Sequence, residues 1–79
     1  MPPSTPHATL AAALRERLAV IADRAAYERD AAAHLERLKS ASERIEALQA
    51  QLPPPVDPRL AHFLERRSYD KALALLEAT

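Results

Sequence analysis

The chain has 79 residues, with no cysteine, no glycine and seven prolines, and its eleven basic side chains are matched by eleven acidic ones. A chain this short buries only about 60% of its unfolded surface, and without cysteine it has neither disulfides nor thiolate metal sites as staples. The balance of charge also holds locally, which excludes the one-signed basic face that a nucleic-acid binder presents.

Residues 1–5 read as an extended tail. Met1 to Pro6 carry no charged side chain and no hydrophobic core, so no secretory signal is expected there. No apolar run approaches the ~20 residues that span a bilayer, so no membrane contact is expected and the expected location is the cytoplasm. Thr5-Pro6 offers a helix start: Thr5 caps, and Pro6 takes the first helical position, where its missing N–H costs nothing. Thr9 is a rival cap one turn later.

The stretch to Leu52 contains neither glycine nor proline after Pro6 and is rich in Ala, Leu, Arg and Glu. Its apolar positions are Leu10, Leu14, Leu18, Ile21, Ala25, Ala32, Leu35, Leu38, Ile45, Leu48 and Leu52, at helical spacings. This predicts one long amphipathic, coiled-coil-like helix over 6–52, with those residues as an oligomerisation seam. Two faults interrupt the seam. Glu28 falls on it between Ala25 and Ala32. Leu35 to Leu38 then advances by three where the alternation needs four, a stammer that rotates the stripe. The two ends are therefore expected to meet different neighbours. The centre, Ala25-Ala26 and Ala31-Ala32-Ala33, lets another helix come close but buries little area. Tyr27 is expected beside the seam with its hydroxyl in water. Arg24/Glu28, Lys39/Glu43 and Arg66/Asp70 are opposite charges four apart, expected to support helices or to select a coiled-coil partner.

Pro53, Pro54 and Pro55 end the helix at Leu52 and predict an extended, rigid corner over 53–57; the sharper alternative is a docking motif for an SH3- or WW-type groove. Asp57-Pro58 signals a new helix, with Asp57 as cap. Over 58–78 the apolar residues form two sets. Leu60, Phe63 and Leu64 face one way; Tyr69, Ala72, Leu73 and Leu76 face another. Either one helix is enclosed on several sides, or it breaks near 67–69, with Ser68 as a cap. Phe63, Tyr69, Ala72 and Leu76 stand where a tetratricopeptide-type helix pair has its aromatic and small residues, and the tail resembles one such pair. The resemblance implies a short helical hairpin, although Leu60 stands where that pattern has a small residue and Arg67 where it has glycine.

Catalytic candidates are few. Gly-rich phosphate loops need glycine, and Ser4, Ser40, Ser42 and Ser68 have no histidine in a recognised arrangement. His34 with Asp30, and His62 with Glu65, have helical spacings that two copies of the chain would need in order to hold zinc; the plainer reading is a pair of surface contacts. His7 stands alone. Arg59, Arg66, Arg67 and Lys71 are interleaved with Asp57, Glu65 and Asp70, which argues against a phosphate site. No catalytic residue, cofactor or metal is expected. The sequence therefore reads as an all-α, non-enzymatic protein that forms an oligomeric helical bundle, because one copy has more apolar helix surface than it can cover. A homodimer is expected first, antiparallel in arrangement, and a tetramer second. The alternative function is a small regulatory or antitoxin-like subunit that folds on a heterologous protein.

Overall fold

The computed structural model describes residues 5–78. Apart from Thr5, the tail expected over 1–5 lies outside the described residues. Five helices follow in order: α1 Pro6–Ala22, α2 Arg24–Arg29, α3 Ala31–Ala50, α4 Pro58–Glu65 and α5 Tyr69–Glu77. There is no strand among the described residues.

The all-helical class is observed, but the single helix over 6–52 is not. Two aspartates divide it. Asp23 leaves helical geometry at φ −82°, ψ 80°, and its Oδ1 accepts the N–H of Ala26 at 3.1 Å. Asp30 does the same at φ −157°, ψ 91°, accepting the N–H of Ala33 at 3.1 Å. A short carboxylate competes for nearby backbone N–H groups, so aspartate is poor inside a helix and good at its start. Each aspartate ends one helix and caps the next, and the chain turns without glycine or proline. A helix over 6–52 would be about 70 Å long at 1.5 Å per residue; the longest dimension of the molecule is 42 Å.

The result is a helical hairpin. α1 and α3 run antiparallel, as two cross-links show: Arg44 donates to Glu16 at 3.0 Å, and Arg17 Nε donates to the Ser42 hydroxyl at 3.2 Å. α5 lies antiparallel along α1, with the Arg17 guanidinium 4.7 Å over the Tyr69 ring and Arg15 3.7 Å from Glu77. The core forms where these layers meet. It holds Leu10, Ala11, Ala13 and Leu14 of α1, Ile45 of α3, Leu52, Leu60 and Leu64 of α4, and Tyr69, Ala72 and Leu73 of α5.

Helix α1 starts at Thr5, whose hydroxyl accepts the Ala8 N–H at 3.0 Å; Thr9 is not a cap but donates its own hydroxyl to the Thr5 carbonyl. The proline corner differs from the extended segment expected. The backbone bends at Pro54 and Pro55, the bond between them is cis, and all three prolines are exposed while Leu52 before them is buried. Asp57 caps α4 by accepting the Arg59 N–H at 2.8 Å.

Between α4 and α5 the chain closes a Schellman motif. Ser68 N–H donates to the Phe63 carbonyl at 2.8 Å and Arg67 N–H to that of Leu64 at 3.1 Å. This motif favours glycine at its left-handed position; here Arg67 occupies it at φ 58°. The tail is thus a two-helix hairpin. Ser68 precedes α5 but makes no side-chain cap bond.

Candidate interaction site

The fold places the expected seam residues in two groups. Leu10, Leu14, Ile45 and Leu52, expected between copies, are buried within the chain's own core. Leu18 and Leu48 pack partly against it. The premise that one copy cannot cover its stripe is corrected to that extent: α1 and α3 cover each other, and α4 and α5 cover part of what remains. The expected tail residues Leu60, Leu64, Tyr69 and Leu73 are buried in the same core, with Phe63 and Leu76 packed against it.

The second group is left outside. Along one row of α1, Leu14 is fully buried, Leu18 partly buried, and Ile21 46% exposed. Along α3, Ile45 is fully buried, Leu38 half-buried, and Leu35 58% exposed. Towards the hairpin tip Val20, Ala26 and His34 remain buried while Ile21 and Leu35 are exposed. Leu35, Leu38, Ser42 and Glu46 are spaced to share one side of α3. Ser42 meets Arg17, which lies over Tyr69, and Glu46 is 3.6 Å from Arg67, so the contacts this side makes towards the α4–α5 pair lie at Ser42 and beyond. α5 begins at Tyr69 and reaches no further along the hairpin. Ile21 and Leu35 are thus exposed, and Leu18 and Leu38 partly buried, in the tip half of the hairpin; together they make up an apolar ledge. Ala25 and Ala32 beside it are exposed.

α2 closes the tip. Ala26 is buried; Tyr27 is 53% exposed, and its ring meets the His34 ring edge-on at 5.5 Å and 82°. His34, expected as a surface partner of Asp30, is instead buried, and its Nδ1 has no hydrogen-bond partner among the described residues. Asp30 is occupied as a cap. Apolar neighbours four and seven residues away on the core side of α3, Leu38 and Ala41, are the signal that would have placed His34 inside. His62 is exposed beside Phe63, at 6.0 Å between ring centroids, and His7 is exposed. Among the described residues no group of three metal-ligating side chains comes together, and no helix is long and apolar enough to cross a membrane.

The comparisons with known families, characterised proteins and solved structures returned no match. The surface must therefore be judged on its own chemistry.

Residues 23–39 carry Asp23, Glu28, Asp30 and Glu36 against Arg24, Arg29, Arg37 and Lys39. Asp23 and Asp30 serve as caps. None of these eight takes part in the ion pairs seen among the described residues, which join Arg15 to Glu77, Arg44 to Glu16, Arg59 to Asp57 and Arg67 to Glu46. The expected pairs Arg24/Glu28, Lys39/Glu43 and Arg66/Asp70 do not close. The side chains of the ion pairs that do form are all more than a third exposed, and such pairs contribute at most about 1 kcal/mol each.

On another face of the hairpin, α1 and α3 leave an open groove of about 550 Å³, floored by Ala19, Val20 and Ala41 and edged by Glu16, Asp23, Glu36, Arg37 and Arg44. Glu16 and Arg44 hold each other, and the remaining charges do not converge on a point. A second hollow of about 410 Å³ lies between the starts of α1 and α4 and the end of α5, lined by Thr5, His7, Asp57, Leu60, Leu75 and Leu76. In neither does a hydroxyl hydrogen-bond to a histidine or carboxylate among the described residues; the Thr5 hydroxyl of the second accepts the Ala8 N–H. One residue that sequence reasoning missed is Arg17, which the sequence offers only as one of several surface charges; here it ties α1 to both α3 and α5.

Proposed function

We propose that this protein is a non-enzymatic helical module that works through protein–protein contact, and that its first partner is another copy of itself. The observation that supports this reading is the ledge. Leu35 is more than half exposed and Ile21 nearly so, with Ile21 on the same row of α1 as fully buried Leu14. Scattered surface leucines need no explanation; exposed apolar side chains grouped into a patch mark a contact surface. The eleven basic and eleven acidic side chains of the chain suit a protein partner, not a nucleic acid.

The corrected fold lowers the expected strength of association. Most of the stripe is internal, and a contact built on the ledge is at the small end of specific interfaces. The experiment is sedimentation equilibrium across a wide concentration range, with circular dichroism on the same samples. A helical chain in reversible monomer–dimer exchange supports the proposal. A helical chain that stays monomeric at every concentration refutes it. A chain with little helix of its own also refutes it, and favours the heteromeric, regulator-like reading.

A further inference from the structure

We infer that Asp23 and Asp30 form a two-point latch. Together they hold the chain as a closed hairpin; with both caps removed, two copies exchange their α1 helices and straighten into an antiparallel pair of long helices. This goes beyond the ledge contact and does not depend on it.

The tip is where the chain can straighten. Between Ala22 and Ala31 it has neither glycine nor proline, and apart from the two aspartates it consists of Arg, Ala, Tyr and Glu, all compatible with helix. From Pro6 to Ala50 the helix is interrupted at Asp23 and Asp30 alone. Their carboxylates take the N–H groups of Ala26 and Ala33. In an unbroken helix those groups bond to the carbonyls four residues back, of Ala22 and Arg29. Beyond the caps, α2 is held by the burial of Ala26 and by the edge-on contact of Tyr27 with His34.

Exchange conserves the core. Glu16 and Arg44, which meet across the hairpin, are 28 residues apart in sequence, and Arg17 and Ser42 are 25 apart. The midpoint of the α1–α3 pairing therefore falls at Asp30 or just before it. Two straightened chains in the same register have their twofold axis there. Position 16 of one copy then faces position 44 of the other, and the partner's first helix takes the place of α1 between α3 and α5. Leu10, Leu14 and Ile45, fully buried in the hairpin, stay buried, between chains instead of within one. Such an exchange substitutes like for like, which is why it is a low-cost route to a dimer. Around the axis the two chains meet along Ala25, Ala26, Ala31, Ala32 and Ala33, whose small side chains permit a short interaxial distance.

The tip decides between the two forms. The caps, the packing of α2 and the cost of joining two molecules favour the hairpin. So does Glu28, which falls on the stripe. Alanine at both aspartates removes two caps and two poor helix residues from each chain. Each replacement shifts the balance roughly tenfold, and a dimer contains four of them, so its formation constant rises on the order of 10⁴-fold.

The test uses the full chain carrying Asp23→Ala and Asp30→Ala together. Asp23→Asn with Asp30→Asn is the control, since asparagine keeps both caps. The double Ala variant is expected to sediment as a dimer at concentrations at which the parent and the Asn control are monomeric, with a helical signal at 222 nm no weaker than the parent's. A chain spin-labelled at Glu16→Cys is then mixed with one labelled at Arg44→Cys, both in the double Ala background. Dipolar spectroscopy should find the two labels close together across chains. A double Ala variant that stays monomeric to about 1 mM, or loses helix, overturns the latch. One that dimerises without a short 16-to-44 distance between chains also overturns it, and leaves the ledge contact standing. The parent's own association state bears on the ledge and not on the latch.

Discussion

Replacing Asp30 or Asp23 by alanine separates this fold from the rod that the apolar stripe suggests. In a continuous helix each aspartate is a liability, and alanine improves helix propensity by up to about 0.7 kcal/mol. In the hairpin each aspartate is a cap with a 3.1 Å bond to a backbone N–H, and its removal costs about 1 kcal/mol, within a range of roughly 0.5–2. The two structures thus predict opposite signs for one substitution. The hairpin does not give way to the rod in the single variants, because straightening would expose Leu10, Leu14 and Ile45, all fully buried, at about 1.5–3 kcal/mol each. Each variant should therefore remain folded and lose stability. For a chain of this size, 1 kcal/mol lowers Tm by roughly 4–8 °C. Urea unfolding followed at 222 nm measures it, with Asp30→Asn as control, since asparagine caps as well as aspartate. The expected order is parent and Asn variant together, Ala variant clearly lower. An Ala variant as stable as the parent or more so would refute the capped hairpin.

Further outcomes follow from the same structure. Arg67→Gly relieves a left-handed residue, a conformation that costs most residues about 1–2 kcal/mol; part of the gain is offset by the exposed Glu46 pair and by glycine's greater freedom when unfolded, so a net rise near 0.5 kcal/mol in urea unfolding is expected, and a fall would contradict the Schellman closure. Ile45→Ala empties a fully buried site and should cost about 2–5 kcal/mol, whereas Leu35→Ala should change monomer stability by no more than about 0.5 kcal/mol; equal losses would mean that the ledge is not exposed in solution. The Asp57 carboxyl is held below the ordinary carboxylate range, first by its side-chain hydrogen bond from Arg59 and then by the Arg59 backbone N–H. Its folded state therefore prefers the charged form, and its contribution is fully present above the unfolded value near 3.8 and lost as pH falls through the lowered folded value. Asp57→Asn should flatten stability against pH in the acid range, and an unchanged acid slope would dissociate Asp57 from α4 capping.

How much of this was legible in the sequence depends on what kind of signal each feature leaves. Prolines with a preceding Thr or Asp leave a strong one, and the starts of α1 and α4 follow it. Periodicity marks an apolar stripe, and Leu10, Leu14 and Ile45 of it are buried, whereas Ile21, Ala25, Ala32 and Leu35 are exposed and Leu52 lies past the end of α3. Periodicity does not report whether the surface that covers a residue belongs to the same chain. The decisive positions, Asp23 and Asp30, were read as charges among other charges. Their other property, capping, carries the fold, and the faults in the seam at Glu28 and at Leu35–Leu38 fall on either side of the second cap. Without glycine to mark the turns, these faults were the visible trace of a chain that changes direction. The tail's hairpin was open in the sequence because Arg67 is tolerable inside a helix; its left-handed conformation is fixed by the tertiary position of α5 against α1, which local propensity does not contain. His34 was misplaced for the same reason as the aspartates: its spacing from Asp30 suggested a surface pair, while its burial depends on α2 folding over it.

The distance between residues 16 and 44 tests the central claim most directly. Glu16→Cys and Arg44→Cys in one chain carry a pair of spin labels, measured by dipolar spectroscopy in an excess of unlabelled chain so that only distances within one molecule are read. In the hairpin the two side chains meet at 3.0 Å, and the labels should fall at the shortest distances the method resolves. In a continuous helix the same positions, 28 residues apart, would lie about 42 Å from each other at 1.5 Å per residue, and a distribution centred there would contradict the account.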